Sequence, residues 1–266
     1  MNENNLHIEA SLLSDIGCVR QCNEDSLLYV YPADNSRLQE KGVFAMVADG
    51  MGGHQSGEIA SQIAVETINK IYYQSNKPPN KALEEAFLAA NEWIYSTART
   101  EPRFNGMGTT GTALVIRDHH MWFAHVGDSR LYRIRSSAIE CLSKDHTLVR
   151  ELFEAGIIDA AAVANHPDRN IITRSLGTHP HVEVDVAGPL SVQEGDHYVL
   201  CSDGLYDLVG DEEILTNVTA KPIRIATHSL IALAKQRGGY DNISIAIVAC
   251  LAANCLQASL AITRFD

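Results

Sequence analysis

The chain has 266 residues, 45% of them apolar, with 33 acidic against 21 basic side chains and a formal charge of −12. That much apolar residue fills a sizeable core, and sandwich or α/β domains of this length occur as single units. The surplus of negative charge is the opposite of what a nucleic acid or an anionic membrane requires, so neither is expected as a partner.

The chain opens with Met1-Asn-Glu-Asn-Asn5, which lacks the basic and apolar regions of a signal peptide. No run approaches the roughly 18–20 apolar residues of a membrane span, so a soluble, cytoplasmic protein is expected. Leu6–Leu13, Ser26–Tyr31 and Gly42–Ala48 read as strands, and the polar insert Pro32–Lys41 reads as a hairpin connection. Ile59–Tyr73 and Lys81–Thr97 carry apolar residues at helical spacing, among them Ile59, Ile63, Ile68 and Tyr72 in the first and Leu83, Phe87, Ala90 and Ile94 in the second. Two consecutive helices after three strands exclude simple βαβ alternation.

Thr109–Arg117, Met121–His125 and Arg130–Arg135 form a strand-rich middle, with turns at His119-His120 and Gly127-Asp128-Ser129. Asp145 to about Arg174 starts helical and then becomes irregular and polar, which marks it as a flap. His181–Ala187 and His197–Cys201 return to strand. Ile223–Gln236 is a helix stopped by Gly238-Gly239, and Asn242–Cys250 is a last apolar strand. The tail Leu251–Asp266 reads equally as an added helix or a frayed end. With no internal repeat or low-complexity linker, one domain over 1–250 is expected. Six cysteines (Cys18, Cys22, Cys141, Cys201, Cys250 and Cys255) form no Cys-x-x-Cys pair, and Cys201 and Cys250 sit in apolar runs as reduced core residues.

Asp49, Asp203 and Asp241 each stand beside an apolar run with glycine or a small polar residue next to them. Glycine lets an ion or a phosphate approach the backbone closely. Three carboxylates brought together from positions so far apart are costly unless a cation compensates them. Oxygen-only ligation of that kind suits Mg²⁺ or Mn²⁺ and argues against zinc. Taken singly, Asp49-Gly50 or Asp203-Gly204 has a turn-forming Asp-Gly as its alternative. No Gly-x-x-x-x-Gly-Lys-Ser/Thr loop, dinucleotide fingerprint or His-Glu-x-x-His helix is present to support other chemistries.

The segments Arg20-Gln-Cys-Asn23-Glu24-Asp25, Asp49-Gly-Met-Gly-Gly53, Gly108-Thr-Thr, Gly127-Asp128-Ser129-Arg130, Ser202-Asp203-Gly204 and Asp241-Asn242 follow one another in order. Together they resemble the metal-dependent protein serine/threonine phosphatases of type 2C, the PPM family, in its bacterial form, over roughly Leu6 to Cys250. The resemblance implies an α+β fold, a central β-sandwich of two antiparallel sheets with a pair of helices on each outer face. It implies hydrolysis of phosphoserine and phosphothreonine in proteins by a hydroxide bridging two Mn²⁺ or Mg²⁺ ions, with a weaker third ion. Asp49 would bridge the pair with the Gly50 carbonyl on one ion, and Asp203 and Asp241 would ligate the second. Glu24 and Asp25 would orient the surrounding water, and Arg20 would clamp the phosphate, its alternative being a surface pair with Glu24 or Asp25. Asp128 matches a third-ion position and could otherwise simply make a tight turn. Thr109 and Thr110 are strand residues without assigned chemistry.

The chain departs from the animal members at Met51, where they carry a histidine proposed as general acid. His54 or a water would then protonate the leaving alkoxide. His146, beside Asp145 at a helix start, reads as part of a polar cap. Phosphoproteins made by a cognate Ser/Thr kinase are the implied substrates of what is expected to be a monomer. Two rivals share the fold: a pseudophosphatase binding module, disfavoured by the presence of all three aspartates, and a hydrolase of a small phosphate ester.

Overall fold

Several strands of this chain are apolar on both faces, and that alone demands cover on each side. In the computed structural model, which describes residues 6–52 and 56–252, the chain runs β1 (His7–Asp15), β2 (Asp25–Val30), α1 (Asn35–Lys41), β3 (Val43–Met51), α2 (Ser56–Gln74), α3 (Pro79–Thr100), β4 (Gly108–Thr109), β5 (Gly111–Arg117), β6 (His120–Val126), β7 (Arg130–Arg135) and β8 (Ala138–Cys141). It continues through α4 (Leu148–Glu154), α5 (Ala160–Asn165), β9 (Asp185–Ser191), β10 (His197–Cys201), α6 (Asp203–Tyr206), α7 (Asp211–Ala220), α8 (Ile223–Gln236) and β11 (Ile243–Leu251). One sheet has the order β1-β11-β10-β7-β8 and the other β2-β3-β5-β6-β9, with β4 paired to β3. The named pairings are all antiparallel.

The longest doubly apolar strands are β3 and β11, and their residues alternate between two cores. Val43, Ala45 and Val47 of β3 meet Ala246, Val248 and Cys250 of β11 in the layer between the sheets. Phe44, Met46 and Ala48 point the other way, into the pair α2–α3, whose Ala60, Ala64, Ala86 and Ala90 let helix and sheet approach closely. Ile243, Ile245 and Ile247 point outward into Ile214 and Val218 of α7 and Ala226, Leu230 and Ala234 of α8. Three stacked cores produce the four layers α, β, β, α that the resemblance implies.

Local chemistry departs from the expected pattern in several places. The Pro32–Lys41 connection contains a helix, α1, capped by Asp34, whose Oδ1 accepts the Ser36 N–H at 3.2 Å. The strand expected at His181–Ala187 begins only at Asp185 and runs to Ser191. Before it, the backbone is held by α3 instead of a strand partner, with Asn91 Nδ2 donating to the His179 and Pro180 carbonyls at 3.1 and 3.3 Å. The turn read at His119-His120 falls one residue earlier, at Asp118-His119, with Asp118 at φ 55°. Cys201 and Cys250 are buried thiols. Among the described residues no helix is long and apolar enough to cross a membrane. The tail beyond Ala252 lies outside the described residues.

Candidate metal centre

Asp49 ends the apolar run of β3 and stands opposite Asp25 of β2 in the antiparallel register. Thr110 fixes the Asp49 backbone from both sides. Its N–H donates to the Asp49 carbonyl at 2.8 Å, and its Oγ1 accepts the Asp49 N–H at 2.8 Å. Thr109 Oγ1 also donates to that carbonyl at 2.8 Å. Gly50 follows where β3 crosses the start of α2. A Cβ there would stand 2.1 Å from the Gly57 carbonyl oxygen and 2.5 Å from that of Glu24, so any larger residue would push the crossing apart.

Asp203 and Asp241 come from the other sheet, just after β10 and just before β11. Gly204 seats one against the other: a Cβ at this position would lie 2.1 Å from the Asn242 carbonyl oxygen and 3.5 Å from Asp241 Cβ. Two polar bridges then join the sheets. Ser202 Oγ donates to Asp25 Oδ2 at 2.9 Å and accepts the Ser244 N–H at 3.0 Å. Asn242 Oδ1 accepts the Glu24 N–H at 2.8 Å, while its Nδ2 donates to the Ile16 and Cys22 carbonyls at 3.0 and 2.9 Å.

Asp128 is buried in the turn after β6. Tyr206 Oη donates to its carbonyl at 3.1 Å, and Arg130 stacks over the Tyr206 ring at 3.7 Å while forking onto Asp145 at 2.7 and 3.0 Å. His146 closes the turn from below: its Nδ1 accepts the Gly127 N–H at 3.0 Å, and its own N–H donates to the Gly127 carbonyl at 2.7 Å. The polar cap expected of His146 is supplied instead by Thr147, whose Oγ1 accepts the Arg150 N–H. Sequence reasoning also gave Ser202, Thr109 and Thr110 no part here. The signal available was their position, each within a residue or so of a motif aspartate or glycine.

The carboxylates repel one another. Burial first, then Asp25, Asp203, Asp128 and Asp241, hold the Asp49 carboxyl well above the usual range. Burial, Asp128 and Asp241 do the same to Asp203. Burial pushes Asp25 up to about 6 against hydrogen bonds from Ser244 and Ser202, and burial with Asp145 pushes Asp128 up to about 7. Asp25 Oδ1 and Asp203 Oδ1 are buried with no hydrogen-bonding partner. Orphaned carboxylate oxygens inside a repelling cluster are the donor set a hard divalent cation satisfies. Among the described residues no three His, Cys, Asp or Glu side chains close on one point. An ion of the Mg²⁺ kind keeps several waters and takes only one or two carboxylates, so the residues fit it.

Arg20 is half exposed at the mouth, where its Nη2 donates to Asp241 Oδ2 at 2.6 Å and not to Glu24 or Asp25. Glu24 is buried behind it, with its carbonyl accepting the Gly50 N–H at 3.2 Å and Ser61 Oγ at 2.6 Å. Met51 lies at the end of β3, and His54 lies outside the described residues. A hollow of about 890 Å³ opens elsewhere, beside His7–Leu12 of β1 and the start of α8, and holds none of these carboxylates.

Residues 13–152 match the family described as Protein phosphatase 2C. The chain belongs to that family. It is 35% identical to the protein phosphatase PhpP of Streptococcus pneumoniae over 91% of this chain and 97% of that one. The crystal structure of the serine/threonine phosphatase PstP/Ppp of Mycobacterium tuberculosis superposes with a TM-score of 0.81 at 34% identity, covering 92% of this chain and 99% of the other. A structure of the PstP catalytic domain in complex with two manganese ions superposes at 0.78 with 32% identity, over 92% and 99%. As a type 2C protein phosphatase of the bacterial form, the chain is a serine/threonine protein phosphatase in a metal-dependent family of phosphoric monoester hydrolases.

Proposed function

We propose that this phosphatase cleaves phosphoserine and phosphothreonine in proteins by direct attack of water, without a covalent enzyme intermediate, using two Mn²⁺ or Mg²⁺ ions and a weaker third. The observation that carries this reading is the meeting of Asp49 from one sheet with Asp203 and Asp241 from the other, around carboxylate oxygens left without partners. When bound, the cations lower the pKa of the attacking water and neutralise the phosphoryl oxygens.

Asp49 would hold both ions of the pair with the Gly50 carbonyl on one of them, and Asp203 and Asp241 would hold the second. Asp128 with Asp203 would hold the third. Glu24 and Asp25 orient the waters of that shell from behind, Asp25 being itself fixed by Ser202. Arg20 stands at the mouth beside Asp241, where its planar fork can grip two phosphoryl oxygens. The leaving alkoxide takes its proton from His54 or from water, since Met51 has none to give. Residues 145–174 would choose among phosphoproteins, the products of a partner kinase, with the protein acting as a cytoplasmic monomer.

The test is p-nitrophenyl phosphate hydrolysis at pH 8 by EDTA-stripped protein with Mn²⁺ or Mg²⁺ restored. Turnover should depend on the metal and fall by far more than tenfold in Asp203→Ala, with the variant still folded. Activity kept within about tenfold, roughly 1.4 kcal/mol of barrier, would remove Asp203 from the metal centre.

A further inference from the structure

Two short segments run side by side at the mouth of the site. The Cys18 N–H donates to the Gly239 carbonyl at 2.7 Å, and Arg20 Nη2 reaches Asp241 Oδ2 at 2.6 Å. Gly17 backs directly onto residue 241, where a Cβ would stand 2.1 Å from the Asp241 carbonyl oxygen. Val19 and Tyr240 sit between these contacts, each one residue before the clamp or the carboxylate. Val19 is 63% exposed and Tyr240 65%, and Ile16 in the same loop is 37% exposed. Three of the nine large apolar side chains exposed among the described residues therefore belong to the two adjoining segments that carry Arg20 and Asp241. Single exposed apolar residues need no explanation, but a group at the mouth of a site does.

The Tyr240 ring rests on the backbone of its own loop. Gly238, at φ +122°, lies under it: a Cβ there would stand 2.3 Å from Tyr240 Cζ and 2.7 Å from Cε2. An aromatic side chain turns about only two χ angles, so an exposed one loses little conformational freedom when a ligand covers it. Outside the groups assigned to phosphate and cation, the charge beside Ile16 is already matched, Asp15 by Lys235 at 2.8 Å. An ionic neighbour would have to break that pair, whereas an apolar one need only cover the ring.

We propose that Val19 and Tyr240 form a subsite for an apolar side chain next to the phosphorylated serine or threonine of the substrate. The proposal rests on the phosphatase reading above, with Arg20 holding the phosphoryl group. An extended chain advances about 3.3–3.6 Å per residue, so a phosphate gripped at Arg20 leaves the adjoining residue within reach of its neighbours Val19 and Tyr240.

The test compares two phosphothreonine peptides that differ only in carrying leucine or serine on either side of the phosphorylated residue, with Mn²⁺-loaded full-length protein. Wild type should favour the leucine peptide in kcat/KM by about fivefold or more, less than an enclosed pocket gives because the patch is open. Tyr240→Ser and Val19→Ser should each shrink that ratio, their combination should bring it below about twofold, and Tyr240→Phe should keep it. The same ratio should appear in the Kd of the matching peptides bearing a non-hydrolysable difluoromethylene phosphonate, read by calorimetry. No preference in wild type, or a ratio unmoved in the double variant, would overturn the subsite. Failure of the wild type to hydrolyse either peptide would instead overturn the phosphatase reading beneath it.

Discussion

Arg20 and Asp241 meet at 2.6 Å with their side chains 48% and 34% exposed, so their ion pair contributes no more than about 1 kcal/mol to stability. What Arg20 offers is shape. Lysine keeps the charge but loses the flat two-pronged donor, so Arg20→Lys should raise KM for a phosphopeptide by about tenfold while the melting temperature stays put. His125 tests the opposite kind of residue, fully buried and opposite Asp185 in the sheet register. Its Nε2 donates to the Lys144 carbonyl at 3.0 Å and its Nδ1 lies 2.9 Å from Thr112 Oγ1. Burial, reinforced by His146, pushes its imidazole down to about 4. The unfolded chain binds that proton at about 6.5, so the stability due to the neutral ring is whole above pH 6.5 and is lost as the pH falls toward 4. Thermal melts of His125→Gln should therefore show a shallower decline between pH 6.5 and 4.5 than wild type, and equal slopes would contradict it. The motif aspartates and Arg20 were legible because each stands out chemically at the end of an apolar run or in an acidic loop. Thr110 and Ser202 were not, since a hydroxyl beside a strand reads the same whether it fixes the Asp49 backbone or the Asp25 carboxylate or merely fills space.

Elements were legible where one period dominates. Ile223–Gln236, with Gly238-Gly239 beyond it, was read at its observed bounds because its apolar stripe and its stop signal agree. The helix α7 passed unread, although Gly210 precedes Asp-Glu-Glu and Ile214 and Val218 follow at helical spacing. Ten residues between two stronger signals gave it little weight. Strand starts failed where a side chain such as Asn91 takes over backbone bonding, a contact that periodicity does not record. The crossing of β3 and α2 depends on two glycines facing each other. A Cβ on Gly57 would stand 2.8 Å from the Gly50 carbonyl carbon and 2.8 Å from Glu24 Cδ. Gly57→Ala should cost about 1–3 kcal/mol by overpacking. A lower melting temperature together with a higher Mn²⁺ requirement is the expected result, and an unchanged melt would mean that the crossing yields without strain.

The fold as a whole came from the resemblance, and β3 and β11 agree with it, because an uninterrupted apolar strand must be covered on both faces and the pair α2–α3 and the single helix α8 were visible as cover. How the sheets stack was not readable by periodicity, since alternation assigns residues to faces but does not say which faces meet. That stacking has a consequence for how the protein fails. Asp25 and Asp49 belong to one sheet, while Asp203 and Asp241 flank strands of the other. Ser202 and Asn242 are the cross-ties between them. Val47 and Leu200 lie in the layer of side chains on which the two sheets could slide. A displacement of about 1 Å in that layer leaves most backbone hydrogen bonds intact yet misplaces groups whose chemistry tolerates little error. Turnover is thus a gauge of shear between the sheets. In a urea titration of the Val47→Ala or Leu200→Ala variant, hydrolysis should vanish at lower urea than the far-ultraviolet circular dichroism signal, and the gap between the two midpoints should exceed that of wild type.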